Sequence, residues 1–222
     1  MSKKFCFWEG LLILACFGIN GSIYSEEVSV SKIIYLNGPS SSGKTTIAKA
    51  LQESFSEPYL HIGIDKIIGF MPAKLNNWEG DIAPLGFSWE SAIDPTGTSV
   101  YQIHSGPFAK RIARTLKDMA LLLASQSYNF IIDDVAFGSM EVDEWKQVFK
   151  DYKVLYVGVV TPLHILEERE LARGDRFLGG ARGQYFKVHE NVAYDLEVDS
   201  YTHSLEENIE MIKEALLKKA GQ

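Results

Sequence analysis

The sequence predicts an α/β domain: one doubly wound layer of five mostly parallel strands flanked by helices. Three observations lead there. Short apolar runs alternate with longer segments of helical periodicity, the pattern of a parallel sheet with crossover helices. The stretch "NGPSSSGKTT", residues 37–46, lies between the first such run and the first helical segment. Its core reads Gly38, four residues, Gly43, Lys44, Thr45, the spacing of a phosphate-cradling loop in the context that loop requires. A later run, "NFII", ends in Asp133 and Asp134, which sets carboxylates at the carboxyl edge of a parallel sheet, where ligands bind.

Taken in order, Ile33-Ile34-Tyr35-Leu36 reads as a buried strand ending at the glycine loop. Residues 45–54 continue as a helix with Ile47, Ala48 and Leu51 on one side. Residues 59–62 form a second strand, closed by Gly63 and Asp65. Residues 73–106 are the least regular part, with Trp78, Gly80, Pro84, Gly86, Trp89, Pro95 and Gly97, and read either as a substrate-covering loop or as a surface excursion that packs its own aromatics. Residues 108–125 are helical, with Ile112, Leu116, Met119, Ala120 and Leu123 at helical spacing. Residues 129–134 are a strand, 141–150 a short helix and 154–160 a fourth strand. Thr161 and Pro162 then start a helix as cap and first-turn proline. Residues 196–199 are a fifth, shorter strand, and Ser204 with Glu207 forms a capping box for the last helix, which shows Ile209, Ile212 and Leu216 on one face.

Composition narrows the class. The chain has 222 residues, a net charge of −7 and an acidic isoelectric point, a balance that argues against a nucleic-acid backbone as partner. Its two cysteines, Cys6 and Cys16, both lie in the first thirty residues, so the body has no thiolate metal site, disulfide framework or cysteine nucleophile. Residues 1–30 read as an N-terminal extension: Lys3 and Lys4, an apolar run over 11–19, then Ser22 or Ser25 near a cut that would start a mature chain near Glu26. Ile13-Leu14-Ala15-Cys16 loosely resembles a lipoprotein cleavage box, whereas Glu9 before the run opposes a signal reading. The run is too short for a membrane span, which needs ~20 residues. Export by this segment conflicts with ATP chemistry, which points to the cytoplasm. Residues 31–222 read as one domain. Nothing in the pattern fixes an oligomeric state.

The loop residues Gly38, Pro39, Ser40, Ser41, Ser42, Gly43, Lys44, Thr45 and Thr46 are the expected ATP contacts. Backbone N–H groups at a helix N-terminus cradle phosphate, Lys44 reaches the β- and γ-phosphates, and Thr45 offers its hydroxyl to Mg²⁺. Asp133, ahead of Asp134, is the expected second Mg²⁺ holder. Asp65 reads either as a base for an acceptor hydroxyl or as a helix N-cap. Arg169 and Arg173 share a helix face, and with Arg176 and Arg182 they lie around Gly174, Gly179, Gly180 and Gly183, so the segment reads as a mobile lid or as solvated arginines paired with Glu167, Glu168, Glu170 and Asp175. No N-K-x-D guanine reader is present, which leaves a small kinase ahead of a GTPase.

"IIYLNGPSSSGKTTIAKALQ", "HIGIDKIIGFMP", "FIIDDVAFG", "VLYVGV" and "RELARGDR…VHENVAYDLEVD" together resemble chloramphenicol 3-O-phosphotransferase, in order over nearly the whole body. "GIDKIIGFMP" and "VHENVAYDLEVD" carry the specificity of the match. The resemblance implies a P-loop fold similar to shikimate and nucleoside-monophosphate kinases, with ATP and Mg²⁺ as cofactors and a hydroxylated small molecule as acceptor. It implies Asp65 as the carboxylate base and Arg173 and Arg176 as the lid arginines. Chloramphenicol, and with it antibiotic resistance, is one acceptor candidate; residues 73–106 depart from the family where the acceptor should be covered. The rival readings are a nucleotide or metabolite kinase of the same fold and a nucleotide-binding regulatory or host-interacting protein without turnover.

Overall fold

The structure, a computed structural model, describes residues 31–174 and 178–221. In chain order it contains β1 (Ile33–Asn37), α1 (Lys44–Ser54), β2 (Tyr59–Gly63), α2 (Ile64–Ile68), a short 3-10 turn, β3 (Phe87–Ile93), β4 (Ser99–Ser105), α3 (Pro107–Ser125), β5 (Asn129–Asp134), α4 (Gly138–Val148), β6 (Val154–Val160), α5 (Leu163–Arg173), α6 (Gly180–Val188), β7 (Leu196–Asp199) and α7 (Leu205–Ala220). The expected five strands form one sheet in the order β2-β5-β1-β6-β7, and every neighbouring pair is parallel.

β1 is central and buried on both faces, as its unbroken apolar run requires. Because side chains alternate across a strand, Ile33 and Tyr35 enter one core and Ile34 and Leu36 the other. The first core is closed by Leu116, Ala120 and Ala124 of α3 and by Val142 and Trp145 of α4. The second is closed by Ile47, Ala48 and Leu51 of α1 and by Ile209, Ile212 and Leu216 of α7. The capping box before α7 forms as its sequence specifies, with Ser204 Oγ accepting from Glu207 N at 3.1 Å and Glu207 Oε2 accepting from Ser204 N at 2.8 Å. Among the described residues no helix is long and apolar enough to cross a membrane; residues 1–30, with the signal-like run, lie outside them.

Three expectations need correction. Residues 73–106 are not an irregular loop: β3 and β4 pair as an antiparallel hairpin from Phe87 opposite Ser105 to Ile93 opposite Ser99, a second sheet of its own. The alternation that would reveal it is absent, since Phe87, Ser88 and Trp89 are buried in succession. The glycines after Arg173 do not all belong to a mobile loop either. Gly180 and Gly183 lie in α6, and a Cβ at Gly183 would fall 2.2 Å from the Tyr101 carbonyl oxygen, so glycine lets this helix lie directly on β4. Thr161 does not cap α5. Pro162 takes that position, while the Thr161 hydroxyl donates to Ser42 O at 3.3 Å and shares a hydrogen bond of 2.8 Å with Ser200 Oγ.

One carboxylate organises the hairpin turn. Asp94 Oδ1 accepts from Thr96 N, Thr96 Oγ1 and Thr98 N at 2.7–2.9 Å, and Gly97 supplies the left-handed backbone (φ 85°) that the turn needs. Arg182 of α6 places Nε 2.6 Å from Asp94 Oδ2 and Nη1 3.0 Å from Glu167 Oε1. Burial pushes the Asp94 pKa up, but the hydrogen bonds from Thr96, Thr98 and Arg182 outweigh it and hold the carboxyl at about 2. A depressed folded-state pKa contributes stability that is present above the unfolded value, ~3.9, and lost as pH falls through the folded one. Asp94→Asn is therefore expected to lower the urea midpoint at pH 6, with the gap to the parent protein closing as pH falls from about 4 to about 2. A gap that stays constant over that window would show that the charge of Asp94 contributes nothing.

Candidate active site

The glycine loop emerges from β1 at the carboxyl edge of the sheet, between β5 and β6. Its two glycines serve different constraints. A Cβ on Gly38 would lie 2.6 Å from Val159 O, whereas Gly43 needs a left-handed backbone (φ 93°) to turn the chain into α1. Ser41 shares that region at φ 65°. Ser42 N donates to Pro39 O at 3.2 Å and Lys44 Nζ donates to the same carbonyl at 2.9 Å, so the buried ammonium lies inside the loop's curve. Gly38, Pro39 and Ser42 are buried on the loop's underside, while Ser40, Ser41, Gly43, Lys44, Thr45 and Thr46 line the wall of a cleft of about 1830 Å³.

Register explains how the acidic doublet divides its work. Leu36 pairs with Asp133 and Asn37 with Asp134, so the two carboxylates leave β5 beside the loop on opposite faces. Asp133 Oδ2 accepts from Thr45 Oγ1 at 2.6 Å and lies 3.4 Å from His61 Nε2. Burial pushes the Asp133 pKa up, but the hydrogen bond from His61, the charge of Lys44 and the Thr45 hydroxyl outweigh it, and the net shift is downward. Asp134 points into the core, accepting from Trp145 Nε1 at 2.7 Å, Val135 N at 2.9 Å and Tyr35 OH at 3.2 Å. Burial raises its pKa against those bonds. Asp133 is thus the member of the pair that faces the loop.

Asp65 is the second residue of α2, and Gly63 occupies the N-cap, so the capping reading fails on position. Its side chain is exposed and lines the cleft. Arg173, in the last turn of α5, lines it too; Arg176 lies outside the described residues. Two other arginines of the expected lid are bonded to protein groups. Arg169, which also lines the cleft, donates from Nη1 to Ser41 O at 3.3 Å and Ser200 Oγ at 2.9 Å, and from Nη2 to Ser200 O at 2.9 Å, which ties α5 to the loop. Arg182 holds the hairpin turn, with Glu167 as its second carboxylate, so the paired-arginine alternative fits Arg182.

Several residues at the site carry no sequence signature. Gln184 of α6 accepts from Ser40 N at 2.6 Å, a contact hidden because its segment lacks a helical pattern. His61 reaches Asp133 only through the β2–β5 pairing. On the wall of the cleft Trp78 stands 6.4 Å from Phe87, stacked at 11°, and meets Trp89 edge-on at 6.2 Å. Lys110 and Arg114 of α3 also line the cleft, and their four-residue spacing on a helix was the available signal. Among the described residues there is no cluster of three or more His, Cys, Asp or Glu side chains that could cage a metal.

A family model described as chloramphenicol phosphotransferase-like protein matches residues 31–217. The "Putative O-phosphotransferase" of Mycobacterium tuberculosis strain H37Rv is 32% identical over 173 residues, covering 76% of this chain and 75% of the relative. Among solved structures, the M. tuberculosis APS kinase CysC in complex with AMPPNP and APS superposes with a TM-score of 0.58 at 16% identity, covering 85% of this chain and 99% of that one. A gluconokinase from Sinorhizobium meliloti gives 0.54 at 15%, covering 87% and 95%. The Deinococcus radiodurans tunicamycin resistance protein gives 0.55 at 17%, covering 83% and 94%. These structural likenesses establish the P-loop kinase fold.

The loop's entry is fixed by Asn37, which is fully buried. Its Nδ2 donates to Tyr194 OH at 2.9 Å, Ala136 O at 3.1 Å and Val188 O at 3.2 Å, and its Oδ1 accepts from Ala136 N at 2.8 Å. Replacing it by the similarly sized Leu leaves those buried groups unpaired. Asn37→Leu is expected to cost about 3 kcal/mol, since each unsatisfied buried group costs ~1–3 kcal/mol. Urea unfolding with an unchanged slope checks this; a loss below about 1 kcal/mol would mean that the network relaxes without the amide.

Proposed function

Because the chain belongs to the chloramphenicol phosphotransferase-like family, we propose that it transfers the γ-phosphate of ATP to a hydroxyl of a small molecule. The observation that carries this reading is one juxtaposition: a glycine loop with Thr45 2.6 Å from Asp133, and Asp65 on the wall of the same cleft. The loop's backbone N–H groups and Lys44 would hold the phosphates, with Lys44 moving from Pro39 O to the β- and γ-oxygens. Thr45 and Asp133 fit Mg²⁺, an ion that takes one or two protein oxygens and fills its shell with phosphate and water. When bound, the ion would neutralise charge on the β- and γ-phosphates.

On the acceptor side, the hydroxyl proton would pass to the Asp65 carboxylate as oxygen attacks the γ-phosphorus. The bond from that phosphorus to the β-bridging oxygen breaks, and ADP leaves with the electron pair. Arg173, with Arg176, would meet charge on the equatorial oxygens. Thr46 lines the cleft one residue beyond Thr45 and would contact the phosphates from the first turn of α1. Chloramphenicol remains one candidate within a wider class of hydroxylated acceptors.

Release of ADP with a panel of hydroxylated acceptors tests the reading. Lys44→Ala is expected to abolish turnover and weaken ATP binding; near-normal turnover would overturn phosphotransfer at this loop. Asp65→Asn is expected to lower kcat by roughly 10²-fold or more while ATP affinity and melting temperature hold, the signature of a lost base. Turnover within a few-fold of the parent would remove Asp65 from the chemistry and turn the search for the base to Asp134, which also lines the cleft.

A further inference from the structure

We infer that the acceptor carries an anionic group, a phosphate, sulfate or carboxylate, on a flat apolar body, and that Lys110 and Arg114 of α3 bind that group. The inference rests on the phosphotransfer reading and specifies its acceptor. Lys110 and Arg114 are four residues apart on α3, so they stand one above the other on a single helix face, and both line the cleft that Asp65 lines. The first turns of α3 pack against Ile64 and Ile68 of α2, which flank Asp65, and against Phe87 of the hairpin. Neither has an ion pair or a side-chain hydrogen bond among the described residues. Three other cations of α2 and α3 are engaged elsewhere. Lys117 pairs with Glu144, Lys66 donates to His61 O, and Arg111 lies over the Phe108 ring at 4.9 Å. Glu141 accepts from Phe137 N at 2.8 Å, and burial raises its pKa.

Helix stability does not account for this pair. Lys110 lies in the first turns of α3, whose opening turn holds no acid, and a cation there opposes the positive end of the helix dipole. Two unpaired cations and that dipole end give one local sign, which an anion would complement. Trp78, 40% exposed on the wall of the same cleft and stacked on Phe87, which packs against the start of α3, offers a flat apolar surface for the rest of the acceptor. A neutral acceptor would leave Lys110 and Arg114 solvated and without a role in binding.

The test uses the full chain saturated with Mg·AMPPNP, so that the glycine loop cannot take the probe's anion. Calorimetric binding is compared for 4-(hydroxymethyl)benzoate, 4-(hydroxymethyl)phenyl phosphate and the neutral 4-(hydroxymethyl)benzamide. At least one anion is expected to bind about tenfold or more tightly than the amide, and the stronger of the two identifies the group. Lys110→Gln/Arg114→Gln is expected to erase that preference with the melting temperature and AMPPNP affinity unchanged, whereas Arg114→Lys retains part of it. Equal binding of amide and anions, no binding of either anion, or a preference that survives in the double variant overturns the inference. None of these readouts requires turnover, so loss of the phosphotransfer reading in the Lys44→Ala assay and loss of the anion preference here are separate results.

Discussion

The active cleft depends on one buried amide. Asn37 ends the central strand, and its side chain ties the exit of β5 at Ala136 to the end of α6 at Val188 and to Tyr194. Those bonds fix where the glycine loop starts relative to Asp133, and so they set the 2.6 Å approach of Thr45 to that carboxylate. The network continues from Tyr194 OH to His189 Nδ1 at 2.9 Å, and a Cβ on Gly158 would lie 2.6 Å from the Tyr194 ring. Loop and acid are therefore held by groups that touch neither phosphate nor acceptor.

A second constraint runs through α6. Gln184 grips the loop at Ser40 N, Arg182 grips the hairpin at Asp94, and Gly183 lets the helix rest on β4. The start of the helix is pinned by Glu170, buried in α5, which accepts from Gly179 N at 2.7 Å and Ala181 N at 2.8 Å. One helix thus touches both the glycine loop and the hairpin. Its packing is incompatible with the open glycine-rich loop that its composition suggests.

What could be read in advance follows from where each signal resides. Local signals were legible: the apolar runs of the five strands, the loop spacing, the doublet at the end of β5 and the capping box of α7 all depend on neighbours in sequence. Contacts across the fold were not. The division of labour between Asp133 and Asp134 needs the strand face, the bracing by Arg169 needs Ser200, and the binding of Arg182 needs a hairpin whose alternation is masked by consecutive buried residues. The stretch "VHENVAYDLEVD" marked the family through residues that prove to be scaffold: Val188, His189 and Tyr194 surround Asn37, and Asp195 Oδ2 accepts from Tyr156 N at 2.9 Å.

The hairpin is a sheet of its own, sharing no strand with the five that carry the loop and Asp133. On the proposed reading, the hairpin's share of the acceptor wall and the phosphate chemistry are therefore built on separable pieces of backbone. Substitutions or length changes between β2 and α3 can reshape the acceptor wall while the ladder that aligns Leu36 with Asp133 stays in register. Such a division gives the scaffold room to exchange one alcohol for another over evolutionary time without rebuilding its phosphoryl donor site, provided that Arg182 keeps its carboxylate at the hairpin turn.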